Sequence, residues 1–478
     1  MTDQYDEIAA RAIGYLQQQV ATALGPPVPT ILADILRGGA VVVPQEIGFT
    51  PSADTRMIHV SESGDDANDW AAGEPLRTLA YAKSFMRDGF PDWLLLKCGD
   101  TWEEGLERWT LSGRSATEPM LIGTYGDGPR PILLTGLNGM IRSYVSDGDN
   151  PGEPLRHIVI VGLHSKAHTY DGTNGSPSGI SWLHHTEDLL IEDCVLERHA
   201  GGITMQAWPS TTRHRDIKIE RTIVIDCFSA AGSGNGQGAY CEGIDGLLIT
   251  ECVFDDSGWM DPSVFRHNLY IQNGCTDVTI ERNCISNASS HGIQLRCGGV
   301  LVDNLIAGNS IGALVGGGST PEPAGVRADI HRNAIVLGKN IDPANERGWG
   351  LDLANISSGD VTENVIAHVL PGTQKDRAFN VNGTGNGLGI GVHNLTGTGN
   401  IIHKWGKPKV LVMHNPDDQV DPLPPDLIAP TGDYPSPDRA LTVPAMIEEM
   451  RSRERGSWDE ATSPASVSSW IRDGFLTQ

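Results

Sequence analysis

The chain has 478 residues, with 35 basic and 60 acidic side chains and a formal charge of −25. That balance argues against nonspecific binding to nucleic acid or anionic lipid, which both need cations, and no run approaches the ~20 apolar residues of a membrane span. Gly is abundant (57) and aromatics are few, and the length allows about three domains of ~150 residues or one extended β architecture.

The first residues, MTDQYDEIAA, lack the basic stretch and apolar core of a secretory signal, so synthesis as a soluble, non-exported protein is expected. Residues 3–24 read as a helix. Ile8, Ala12, Tyr15, Leu16, Val20 and Ala23 make one stripe, Asp3 can cap it, and Gly25-Pro26-Pro27 ends it. A second short helix is expected from Ile31 to Leu36. This lead-in, residues 1–50, needs a surface to pack on: the main body, a sister subunit or a larger assembly. From Met57 the texture changes to short strands between Gly, Asn, Asp and Ser, with a helix around Thr78–Met86. The eight cysteines include no CxxC pair and fit no zinc framework. Cys194, Cys252, Cys275 and Cys284 read as buried free thiols. No cofactor is expected, beyond a Ca²⁺ ion that the acidic stretch SGDDAND, residues 63–69, could hold weakly.

A repeat then dominates. Ile191-Glu-Asp-Cys194, Ile219-Glu-Arg-Thr222, Ile249-Thr-Glu-Cys252, Ile280-Glu-Arg-Asn283, Leu301-Val-Asp-Asn304, Ile330-His-Arg-Asn333 and Val361-Thr-Glu-Asn364 follow one another at steps of 28, 30, 31, 21, 29 and 31 residues. A second set shows period-two alternation: Gly202–Gln206, Gly238–Glu242, Asn268–Gln272, Gly292–Arg296, Gly312–Gly316 and Gly350–Ala354. Strand patterns at this period specify a solenoid, in which one coil buries its face only against the next. A propeller blade, at ~40–45 residues, is too long. The fold class is therefore all-β, a parallel β-helix over residues 51–410. Asn283, Asn304, Asn333 and Asn364 form a structural ladder at a tight turn, with Thr222 and two cysteines on the same rung position. GSGNGQG, residues 232–238, reads as a loop without the Lys-Ser/Thr of a phosphate loop.

After Val410 a Pro- and Asp-rich arm, residues 415–444, precedes two short helices, Ala445–Arg455 and the Ser463-capped segment through Gly474. Residues 411–478 are read as an arm followed by a helical cap over the open end of the solenoid, since terminal coils need covering. A docking element is the alternative.

VSESGDDANDW, EPLRTLAYA, LLLKCGDTWEEG and IGTYGDGPRPIL, together with the Asn-bearing coils, resemble the right-handed, single-stranded parallel β-helix proteins of the pectate-lyase-like superfamily over roughly residues 57–405. The resemblance implies the fold and a polysaccharide substrate class. It carries over no catalytic residue. The Asp-Asp pair and Arg-x-Lys of polygalacturonases, the Asp-Pro-His-Asp of mannuronan epimerases and the Arg-bearing motif of pectate lyases are all missing.

The alternation itself yields a candidate face. Ile203, Met205, Leu269, Ile271, Ile293 and Leu295 point in, while Thr204, Gln206, Tyr240, Glu242, Tyr270, Gln272, Gln294, Arg296 and Asp352 point out. Coils are ~4.8 Å apart. A stripe of Tyr, Gln, Glu and Arg at that pitch suits a long polar ligand such as a glycan. Any one such residue is better explained by solvation than by binding; the cluster of Glu242, His267, Tyr270, Gln272, His291, Gln294 and Arg296 is what stands out. For β-elimination from a uronic acid, Arg296 would stabilise the developing charge, with Tyr270, His267 or His291 as base. Hydrolysis would need Glu242 with Asp352, several coils apart.

Three function classes follow. The first is a phage virion protein of tailspike or appendage type that binds, and in one version depolymerises, a cell-surface polysaccharide. The resemblance implies a homotrimer, made in the host cytoplasm, with other virion proteins docked at either terminal segment. The second is a cellular polysaccharide lyase, extracellular. The third is a non-catalytic structural or adhesive solenoid. The expected lack of export favours the first.

Overall fold

Stacking turns the repeat into sheets. In the computed structural model, which describes residues 48–143, 152–208, 210–230, 236–318, 321–367, 377–381, 389–403, 405, 419–420, 434–435 and 440–476, three long parallel sheets of 12, 12 and 10 strands run side by side. Every strand pairs with its counterpart one coil away. The chain is a parallel β-helix. The helices expected over residues 3–24 and 31–36, and most of the proline-rich arm, lie outside the described residues. A short helix, α1 (Leu79–Lys83), sits inside the expected span. The Asp66 carboxylate, offered above for Ca²⁺, accepts from Arg77 N, Thr78 N and Thr78 Oγ1.

The register follows the sequence alignment rung by rung. In the first sheet Ile191 pairs with Ile219, Ile219 with Ile249, Ile249 with Ile280, then Leu301, Ile330 and Val361. All seven side chains are buried in one continuous core. Each coil then turns through a residue with positive φ: Asp193, Arg221, Glu251, Arg282, Asp303, Arg332 and Glu363. A left-handed conformation costs a non-glycine residue roughly 1–2 kcal/mol. The ladder offsets it. Asn283 donates from N and Nδ2 to Asn304 Oδ1 (2.9 and 3.0 Å), and Asn304, Asn333 and Asn364 repeat the pattern onto Asn333, Asn364 and Asn400. Upstream, Cys252 N donates to Asn283 Oδ1, Thr222 N to Cys252 Sγ and Cys194 N to Thr222 Oγ1. All eight cysteines are free thiols.

The third sheet carries the candidate face, on strands β1 (Gly201–Trp208), β2 (Gln237–Glu242), β3 (His267–Ile271), β4 (His291–Leu295), β5 (Ile311–Gly316) and β6 (Trp349–Ala354). The second residue of five of these six strands is a glycine because the coils touch there. A Cβ on Gly202, Gly238, Gly292, Gly312 or Gly350 would lie 2.5–2.7 Å from a carbonyl oxygen of the next coil. GSGNGQG therefore ends in strand: Gln237 and Gly238 open β2, so the loop expected over 232–238 stops short of them.

The C-terminal helices correct the expected cap. Strands of the second sheet are apolar on both faces, and the outward set, Ile223, Val253, Cys284, Leu305, Ala334 and Val365, is buried with residues of α2 (Val443–Arg451) and α3 (Pro464–Leu476). The helices lie along the flank of the solenoid, since an apolar outer face needs cover more than the end does. Thr442 caps α2 through Ala445 N, and Ser463 Oγ accepts from Ser466 N at the start of α3. Arg451 fixes the strap by pairing with Asp226 and Asp255, both at 2.6 Å. Trp458 Nε1 donates to Asp193 Oδ1 (2.6 Å).

Candidate glycan-binding groove

Three columns of side chains run down the outer face of the third sheet. Thr204 pairs in register with Tyr240, Tyr240 with Tyr270, Tyr270 with Gln294, Gln294 with Leu314 and Leu314 with Asp352. Gln206 pairs with Glu242, and one coil on from each other Gln272 and Arg296 continue that column. His267 pairs with His291. The alternation thus places all the outward residues on one face.

A cavity of about 320 Å³ opens where β3 and β4 meet, lined by His267, Tyr270, Gln272, His291, Gln294 and Arg296. Its walls come from unequal turns. The turn before β3, residues 256–266, is long and supplies Val264 and Phe265; the turn before β4, residues 287–290, is short; Gly318 beyond β5 closes the far side. A shallower depression of about 230 Å³ adjoins it, shares Gln237, and includes Ser178, Thr204 and Tyr240. Together they make a groove along the solenoid axis.

Inside the cavity one network organises the polar groups. The Gln294 amide is oriented by its neighbours. Its oxygen accepts from Arg296 Nη2 and Nε (2.8 Å for Nε), and its nitrogen donates to His267 Nε2 at 2.6 Å. Arg296 Nη1 donates to the Gly316 carbonyl (3.2 Å), and the Tyr270 side chain lies beside the guanidinium in the same cavity. Gln272 Nε2 donates to the Tyr270 hydroxyl (3.1 Å). The His267 ring lies 4.8 Å from His291 and 5.0 Å from Tyr270. Burial, with the Arg296 charge adding to it, pulls the His267 pKa down to about 3, and burial drives His291 well below the histidine range. Both rings are neutral at physiological pH. His267, with its Nε2 lone pair taken by Gln294, is a positioning residue for Gln294 and Arg296. His291 Nδ1 sits 2.9 Å from Ser290 Oγ.

Arg296 is the electrostatic centre. Burial lowers its pKa from the ordinary arginine value, and among the described residues no carboxylate lies within 4 Å of it. Guanidinium has five N–H donors; two go to Gln294 and one to Gly316, leaving donors for a ligand. The Asp352 charge acts on it only from beyond contact distance, so the guanidinium has no carboxylate in direct contact and is chemically suited to an anion.

One coil row earlier, Glu242 Oε2 accepts from Tyr240 Oη and Gln206 Nε2, both at 2.6 Å. Burial and the Glu242 charge push the Tyr240 pKa up, so its phenol stays a donor. The Tyr240 and Tyr270 rings meet edge-on at 5.3 Å. Asp352 is buried, accepts from Asn380 Nδ2 (2.9 Å) and lines neither cavity. Glu242 and Asp352 stand four coils apart, about 19 Å at ~4.8 Å per coil, beyond the ~5–9.5 Å that a pair of hydrolytic carboxylates needs. Sequence reasoning missed Gln237, Val264, Phe265 and Gly318. For Gln237 the signal was there, since it occupies the rung between Gly201 and His267; for turn residues, alternation is silent.

A profile of the right-handed β-helix region matches residues 173–335. Solved structures similar to the chain include a rhamnogalacturonan lyase (11% identity over 77% of this chain and 87% of that one, TM-score 0.46). A XylC structure in complex with xylose is similar at 10% identity, 77% and 87% coverage and a TM-score of 0.50, and the pectate lyase Pel9A at 14%, 82% and 84%, with 0.46. At these identities the likeness is one of fold. No protein with a curated description matches the chain.

Proposed function

We propose that the protein binds an acidic polysaccharide along the third sheet, with a sugar carboxylate held by Arg296. The observation that carries this is the buried guanidinium of Arg296, aimed into a cavity, hydrogen-bonded only to neutral groups and flanked by Tyr270. Tyrosine faces and amide side chains at the pitch of the coils supply stacking and hydrogen bonds for the neighbouring sugars. The test is binding of wild type and Arg296→Gln to acidic and neutral glycans by affinity electrophoresis. Retardation by acidic glycans that Arg296→Gln abolishes supports the reading. Equal retardation by neutral and acidic glycans, unchanged in the variant, sinks it.

A second reading, cleavage by β-elimination, is favoured by one juxtaposition: Tyr270 lines the same cavity as the guanidinium that would hold the carboxylate. Tyr270, as the phenolate, would then take the C5 proton while Arg296 stabilises the enolate-like charge; as the C4–O bond breaks and the C4–C5 double bond forms, the resulting phenol would return the proton to the departing oxygen. Appearance of unsaturated product, lost in Tyr270→Phe, tests it. The setting we propose is the one the sequence suggested: a tailspike-type virion component, homotrimeric and assembled in the host cytoplasm. Its support is the sequence reading joined to a rod-like fold. Light scattering that gives one chain per particle would overturn the trimer.

A further inference from the structure

Phe265 is 66% exposed, the most exposed large apolar side chain among the described residues, and it lines the cavity that holds Arg296. Single exposed apolar residues are ordinary on a protein surface, but this one is held where it stands. The turn before β3 is pinned at both ends. Gly258 N donates to Cys227 O (2.6 Å), and the Trp259 ring stacks on Phe228 at 4.7 Å. At the other end the buried Arg266 donates to Ser229 Oγ and Asp261 Oδ2 (2.5 and 3.3 Å). Phe265 N itself donates to Ser263 Oγ (3.2 Å). Among the described residues no other aromatic ring packs on Phe265. The anchored turn thus keeps a flat apolar face in water, against the tendency of folding to bury it.

The other walls of the cavity are largely polar, and Arg296 is the only charged side chain among the described residues that line it. A uronic acid carries the counterparts of both features on one ring: a carboxylate for the guanidinium and a face of C–H bonds for the phenyl ring. We propose that Phe265 is the stacking platform of the groove, so that the site recognises a pyranose uronate by ring face as well as by charge. This rests on the acidic-glycan reading and adds the residue that tells a sugar acid from any other carboxylate. A polyanion without rings would meet Arg296 and leave Phe265 in water.

The probes are hexamers of galacturonate and of mannuronate, with hexaglutamate as a ringless polyanion of equal charge, and binding is measured by titration calorimetry. Wild type is expected to prefer at least one uronate hexamer to hexaglutamate. Phe265→Ala and Phe265→Leu are each expected to weaken that uronate about ten-fold and to leave hexaglutamate unchanged, while Phe265→Tyr keeps wild-type affinity. The melting temperature should hold in all three, because the side chain is exposed. Wild-type affinity for the uronate in Phe265→Ala, or in Phe265→Leu, which keeps bulk without a flat face, overturns the stacking platform. So does an equal loss for hexaglutamate. In those cases the acidic-glycan reading stands if Arg296→Gln still weakens the uronate. If neither uronate binds wild type, or Arg296→Gln binds them unchanged, both fall.

Discussion

Replacing Asn333 by alanine tests the ladder at its middle. Asn333 is wholly buried. Its Oδ1 accepts from Asn304 N and Nδ2 (3.1 and 2.9 Å), and its Nδ2 donates to Leu301 O, His331 O and Asn364 Oδ1 (2.8, 3.0 and 2.9 Å). Alanine removes all five. Asn304 Nδ2 keeps Ile280 O and Val302 O, His331 O keeps Asp303 N, and Asn364 Oδ1 keeps Asn333 N. The Asn304 N–H has no such alternative. One orphaned buried donor at ~1–3 kcal/mol, plus the lost side-chain bonds at about 1 kcal/mol or less each, gives a loss of about 4 kcal/mol. Threonine should lose about half of that, because a hydroxyl can take the Asn304 N–H as Thr222 Oγ1 takes Cys194 N. Urea unfolding followed by both circular dichroism and tryptophan fluorescence measures it, since a solenoid can open in sections. A loss below about 1 kcal/mol for alanine, or no difference between alanine and threonine, would refute the view that the ladder stabilises the turns.

Gln294→Glu places a carboxylate in direct contact with Arg296, where none stands now; binding of acidic glycans should fall at least about ten-fold while the melting temperature holds, as affinity electrophoresis and a thermal melt would show. Asp256 is held at a pKa of about 6, first by burial and then by the charges of Asp255 and Asp226, against the weaker pull of Lys339 and Arg451. A raised carboxylate pKa means the folded state resists ionisation, so Asp256→Asn should gain about 1 kcal/mol at pH 8, discounted for partial exposure, and nothing below the ordinary aspartate range. Denaturant midpoints at pH 8 and pH 3.5 would check both halves. Arg451→Ala strips Asp255, only 1% exposed, of its cation; a loss of about 3 kcal/mol is expected, with dye binding to the uncovered second sheet, and Asp255→Asn in the same chain should recover part of it.

The fold was legible because its physics is local and repeated. An apolar residue, two turn residues and a Cys, Thr or Asn recur at Ile191, Ile219, Ile249, Ile280, Leu301, Ile330 and Val361, and pairing in register follows from that spacing alone. The continuation of the ladder to Asn400 was missed, because its coil steps 36 residues from Asn364, outside the period read from the others. The outward stripe from Thr204 to Asp352 was legible for the same reason as the core: alternation sorts both faces at once. The hydrogen-bond network was not. That His267 gives its lone pair to Gln294, making it a support for Arg296, depends on the depth of a cavity, and that depth comes from Val264 and Phe265 in a turn with no periodicity. The place of α2 and α3 was recoverable in principle. Triplets such as Ile223-Val-Ile225 and Leu305-Ile-Ala307 are apolar at every position, which a half-solvated strand would not be.

The unequal turns have a consequence of their own. A short coil between longer ones is a valley whatever side chains it bears, so groove topography here is separable from the barrel that supports it. Lengthening residues 287–290 would silt up the depression without disturbing a single rung, and trimming 256–266 would flatten its bank. The rod behaves as a keyboard of fixed pitch: recognition can be retuned coil by coil, by insertion and deletion at one edge, while the stacked interior never registers the change.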